Sequence, residues 1–200
     1  MISKNSIRRL STTAIAVAMA SLQAGCGGFT SVNVGGTITG LTGTGLVLGD
    51  GVNRVSIPAN STTFTLPAQV DIRADYNVVV VKQPTRQTCV VANAAGMAGA
   101  APVTIISVTC NTNTYKLGGT VSGLLGSNLI LTNGSDTLPI AQAGNGSFTF
   151  PAEVGDGSTY GVAVLKQPIG PSQTCTVTNG SSVVNTPVAA GITDVVVSCI

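Results

Sequence analysis

Short apolar runs recur about every ten residues from position 32 onward, separated by Gly, Asn, Asp or Pro. That spacing predicts an all-β sandwich architecture. The first half predicts strands near 32–39, 45–48, 53–57, 62–66, 76–82, 87–93 and 104–110. The second half predicts them near 115–122, 128–132, 136–140, 147–150, 159–166, 173–179 and 193–199. Asp50-Gly51, Asn133-Gly134 and Asn179-Gly180 mark tight turns. Alternation then assigns faces, because successive side chains on a strand point to opposite sides. Cys175, Val177 and Asn179 share one face of their strand, and Thr174, Thr176 and Thr178 share the wetter one. Ile106, Val108 and Cys110 share a face, as do Val195, Val197 and Cys199. The cysteines therefore point into the apolar interior. One strand departs from clean alternation. Tyr76, Val78 and Val80 lie opposite Val79 and Val81, and Tyr160, Val162 and Val164 lie opposite Ala163 and Leu165. The second apolar face predicts burial on both sides, or ordinary scattered surface residues, or a surface that meets a partner or the sister domain. Val79, Val81, Ala163 and Leu165 form the candidate interaction patch.

The two halves are copies of one unit. Val34-Gly35-Gly36-Thr37-Ile38-Thr39-Gly40-Leu41 returns as Leu117-Gly118-Gly119-Thr120-Val121-Ser122-Gly123-Leu124. Phe64-Thr65-Leu66-Pro67-Ala68 returns as Phe148-Thr149-Phe150-Pro151-Ala152. The Lys82-Gln83-Pro84 ending returns as Lys166-Gln167-Pro168, and Gln87-Thr88-Cys89 as Gln173-Thr174-Cys175. The offset drifts from 83 to 89 residues, which marks small loop insertions. Such a long period indicates tandem domains, since solenoid repeats run about 20–50 residues. The expected units are 32–110 and 115–200, joined by a linker at 111–114 too short for free tumbling.

The N-terminus carries a different signal. Lys4, Arg8 and Arg9 make a basic start, Ala14 to Leu22 is a short apolar run, and Ala24-Gly25 precede Cys26-Gly27-Gly28. This is the three-part layout of a helical export signal over 1–25. Its apolar stretch is shorter than the about 20 residues that span a bilayer. The segment resembles a bacterial lipoprotein signal, whose lipobox is cut before a cysteine that then carries the lipid. The resemblance implies lipidation of Cys26 and a tether over 26–31. It also implies a partner in the membrane and a place in the bacterial cell envelope. Without aspartate at residue 27, sorting in a two-membrane bacterium implies the outer membrane, on its periplasmic or surface face. The alternative is an ordinary secretory signal cut after Ala24 or Gly25, leaving Cys26 free.

Lipidation of Cys26 also accounts for the odd cysteine count of five. Cys89, Cys110, Cys175 and Cys199 remain, and disulfides persist in exported proteins. Four cysteines allow three connectivities. The repeat selects Cys89 with Cys110 and Cys175 with Cys199, one bond per copy.

The order GGTVSGL, LILTNG, GSFTFPA, Tyr-x-Val-x-Val, Gln-Thr-Cys-Thr-Val and a closing Val-Val-Val-Ser-Cys resembles repeats of exported bacterial proteins. Those repeats are similar to bacterial immunoglobulin-like domains. The resemblance covers 32–200 and implies two tandem immunoglobulin-like β-sandwiches with an extracytoplasmic role in display and interaction. It supplies no catalytic residues. Ala94 to Pro102 departs from it as an Ala/Gly-rich insertion.

Composition narrows the chemistry. The chain has no histidine and no tryptophan, and 8% of its residues are charged. The commonest general base and metal ligand is therefore missing, along with Ser–His and Cys–His nucleophiles. Glu153 and Asp156 sit beside glycines, and their counterparts are Gln69 and Ile72, so they do not form a repeated acid pair. Asp71 with Asp75, or Asp156 with nearby carbonyls, offers few oxygens for calcium. Past the signal the chain has six basic and seven acidic residues. They form no basic stripe of the kind that binds nucleic acid. The reading is a non-enzyme without cofactor or metal, an adhesion or structural module meeting an unknown protein or glycan. The alternatives are an accessory domain pair of a surface hydrolase and a simple secreted protein.

Overall fold

A computed structural model describes residues 30–141, 145–185 and 191–200. The expected signal segment and Cys26 lie outside the described residues. Every regular element among the described residues is a β-strand, and the strands build two β-sandwiches, each with its own core.

In the first copy one sheet has the order Thr63–Thr65, Val34–Thr39, Val103–Thr112, Gln87–Ala92. The first and last long strands of the copy, Val34–Thr39 and Val103–Thr112, run parallel, and their outer neighbours are antiparallel. The facing sheet has the order Asn53–Ile57, Leu46–Asp50, Val79–Lys82. The second copy repeats this. Gly146–Thr149, Leu117–Ser122, Ile192–Cys199 and Cys175–Thr178 form one sheet, and Asp136–Ile140, Leu129–Asn133, Thr159–Lys166 and Ser181–Val183 the other. Each copy buries its own core. Val34, Ile38, Ile106 and Val108 of one sheet meet Leu46 and Leu48 of the other, with Tyr76 and Val78 in the same buried cluster. Leu117, Val121, Val195 and Val197 meet Leu129, Leu131, Tyr160 and Val162. Burying side chains of this kind contributes about 1.5–3 kcal/mol each. Ile106, Val108, Val195 and Val197 among them are residues that alternation assigned to the interior.

The glycine-rich motif has a packing reason. A Cβ at Gly36 would overlap the carbonyl oxygen of Ile106, and one at Gly119 that of Val195. At both places the parallel pairing shifts register. Only glycine lets the two backbones approach this closely.

Three features depart from expectation. The strand expected over 76–82 divides into Asp75–Asn77 and Val79–Lys82. Val78 leaves the ladder and donates its N–H to the Ala94 carbonyl at 2.8 Å. The Ala/Gly-rich insertion contains a strand, Ala95–Met97, paired with Asp75–Asn77. Its small residues carry no strand signal, yet Gly96 is what admits the Tyr76 ring, whose oxygen lies 2.7 Å from where a Cβ would stand. Finally, the Val103–Thr112 strand runs into the segment expected as linker. Asn113 alone separates it from Thr114–Tyr115.

Candidate functional site

The disulfides form as the repeat predicts. Cys89 bonds Cys110 and Cys175 bonds Cys199, each between directly opposed residues of neighbouring antiparallel strands. All four cysteines are buried. A glutamine fixes the backbone beside each bond. Gln83 accepts from the Cys89 N–H at 2.7 Å and donates to its carbonyl at 3.0 Å. Gln167 does the same at Cys175, at 2.8 and 3.1 Å. A second glutamine closes the loop opposite. Gln87 Oε1 accepts from the N–H groups of Thr42 and Gly43, and its Nε2 donates to Gly40. Gln173 repeats this with Leu125, Gly126 and Gly123. The repeated Gln-Pro and Gln-Thr-Cys motifs are thus structural clamps that satisfy otherwise unpaired backbone groups.

The candidate patch is solvent-facing. Val79, Val81 and Leu165 are exposed at 44%, 37% and 59%, and Ala163 is exposed as well. Burial on both sides of that strand does not occur. Tyr76, Val78, Tyr160 and Val162 fill the cores from the inward face.

The joint between the copies holds residues that pattern reading passed over. Asn113 donates its N–H to the Arg86 carbonyl at 3.0 Å, and its own carbonyl accepts from the Asp156 N–H at 2.8 Å. Its side-chain oxygen accepts from the Thr88 hydroxyl at 2.7 Å. The single connecting residue is therefore bonded to both copies. Across the joint, Arg86 Nε lies 3.7 Å from Asp156 Oδ1, with the arginine side chain half-exposed and the aspartate side chain wholly buried. The Tyr115 hydroxyl donates to Asp156 Oδ2 at 3.5 Å. Burial, then the Asp156 charge, raises the Tyr115 pKa above its ordinary 10.0. Gly157, at φ +83°, leaves room for the guanidinium, since a Cβ there would stand 2.8 Å from Arg86 Nη1. In the repeat, Arg86 corresponds to Ser172 and Asp156 to Ile72. The pair is specific to the joint and has no role in the shared fold. Asp156 was visible in the sequence as an acid without a repeated partner. Nothing local announced that Arg86, 70 positions earlier, would meet it.

Among the described residues, no three His, Cys, Asp or Glu side chains are grouped to hold a metal ion. Nor does any helix there have the length and apolarity to cross a membrane.

No family model matches the chain, and no curated protein matches it. Among solved structures, the chain is similar to the major pilin protein T-13 of Streptococcus pyogenes. The match is 11% identical with a TM-score of 0.30, covering 85% of this chain and 96% of the pilin. A likeness of that size transfers no role.

Proposed function

We propose that the chain is a lipid-anchored protein of the bacterial cell envelope, tethered through Cys26 to the outer membrane, on its periplasmic or surface face. Its two sandwiches serve as a non-catalytic module for contact with protein or glycan. The bacterial lipoprotein and immunoglobulin-like repeat resemblances carry the placement. The observation that carries the role is a division of labour among the repeated residues. The repeated glycines, glutamines and cysteines are turned inward, onto backbone and core. The repeated outward strand keeps apolar side chains at Val79, Val81, Ala163 and Leu165, where neither core uses them. Apolar side chains kept exposed at matching places suit a surface that meets a partner.

A photo-crosslinking residue placed at Val81 or Leu165 in living cells tests this, with Asp50 as a control position. Discrete adducts at the two patch positions and none at Asp50 support the reading. Equal or absent crosslinking at all three would overturn it.

A further inference from the structure

In each copy the first and last long strands lie side by side and run parallel. Val34–Thr39 pairs with Val103–Thr112, from Val34 opposite Val103 to Thr39 opposite Thr109. Leu117–Ser122 pairs with Ile192–Cys199 in the same sense. The chain enters and leaves each copy through these strands. Ahead of the first stands only a two-residue ladder, Ser31–Val32 with Val70–Asp71. A pull on the two ends of a copy therefore draws the first strand backward and the last strand forward along their axes. The ladder is loaded in shear, and its evenly spaced parallel bonds share the force. Antiparallel terminal strands would take both forces at one end of the ladder and open it bond by bond. Other features reinforce the same path. Gly36 and Gly119 let the paired backbones close on each other. Cys89–Cys110 and Cys175–Cys199 fasten the last strand of each copy to its outer neighbour. At the joint, Asn113 alone follows the last strand of the first copy and is hydrogen-bonded to both copies, so force passes on without slack.

We propose that each copy is a tension-bearing unit, and that the chain is a mechanical link between its anchor and whatever the second copy holds. This rests on the anchored interaction-module reading, which puts the membrane at one end of the first copy and a contact beyond its other end. The disulfides limit what yielding releases. Once the ladder parts, the stretches closed by Cys89–Cys110 and Cys175–Cys199, spanning 21 and 24 positions, stay looped.

The test is single-molecule pulling on the exported, unlipidated chain with both disulfides formed. It is held at the Cys26 thiol and at a cysteine appended after Ile200, and two ruptures are expected. The reference geometry holds the chain at Cys26 and at Gly99→Cys, an exposed site with open space for a side chain. Ala101→Cys, also exposed, gives the same geometry from a second position. Both sites precede Val103, which lies opposite Val34, so this load enters the ladder at one end and unzips it. Forced unfolding is governed by the unfolding rate, and unzipping breaks bonds in turn, so both end-to-end ruptures should need at least about twice the reference force. Reductant should lengthen the two end-to-end steps by about 70 and 80 Å, at about 3.3–3.6 Å per released residue. End-to-end ruptures at or below the reference force, or steps that do not lengthen on reduction, overturn the proposal. Crosslinking at Val81 and Leu165 needs no applied force, so this failure is distinguishable from failure of the interaction reading itself.

Discussion

Breaking the second disulfide by Cys175→Ala/Cys199→Ala tests how each copy is held together. The two residues are 24 apart in sequence. Closing a loop of that length costs the unfolded chain entropy worth about 3.4 kcal/mol at 25 °C in the chain-entropy model. Deleting two buried sulfurs adds packing loss, at about 0.8 kcal/mol for a group the size of a methylene. The expected loss is therefore about 3–5 kcal/mol, confined to the second copy because each copy has its own core. For a domain of this size, 1 kcal/mol moves the melting temperature by about 4–8 °C. The second copy should thus melt at least roughly 12 °C lower. Urea unfolding followed by tyrosine fluorescence, in a Cys26→Ser/Tyr76→Phe background that leaves tyrosines only in the second copy, reads the midpoint and slope together. A loss under about 1 kcal/mol with an unchanged slope would refute the entropic argument. It would mean that the neighbouring strands already restrict the unfolded chain as much as the bond does.

Other substitutions separate the fold's demands from its free surface. Gly119→Ala pushes a methyl into the Val195 carbonyl and should cost at least about 2 kcal/mol. Gly134→Ala meets open space at φ +61° and should cost only about 1–2 kcal/mol; thermal melts of the two order them. Gln167→Ala strips two hydrogen bonds from the Cys175 backbone and should cost about 1–3 kcal/mol in urea. Leu165→Ser and Val81→Ser should each change stability by less than about 0.5 kcal/mol while removing crosslinked adducts. Burial, then the charges of Asp156 and Asp194, raises the pKa of Tyr115 and Tyr160 above 10.0. The folded chain therefore keeps both phenols protonated to higher pH than the unfolded chain. That contribution is complete below pH 10 and is lost as pH rises through the folded-state values. Tyr115→Phe and Tyr160→Phe should flatten the alkaline fall seen in urea midpoints.

The strand pattern was largely legible because alternation and repetition report the same thing twice. Val195, Val197 and Cys199 face the core where the period of two puts them. The cysteine pairing followed from the repeat, and the exposure of Val79, Val81 and Leu165 matches an outward strand face. What escaped notice depends on contacts made at a distance. The Ala95–Met97 strand exists because Tyr76 pairs across it, and its own residues carry no β preference. Gln83 and Gln87 read as polar punctuation, and only the folded chain brings their amides onto Cys89 and Gly40. The joint was the least legible part. Arg86 and Asp156 each look like a solvated charge until Asn113 bonds both of their backbones.

Anchorage is most directly tested by intact mass of the membrane-extracted protein beside a Cys26→Ala variant, each with and without reduction and alkylation. The account predicts a diacyl or triacyl increment that disappears in the variant, and two disulfides that open on reduction. An unlipidated chain beginning at Gly25 or Cys26 would contradict it.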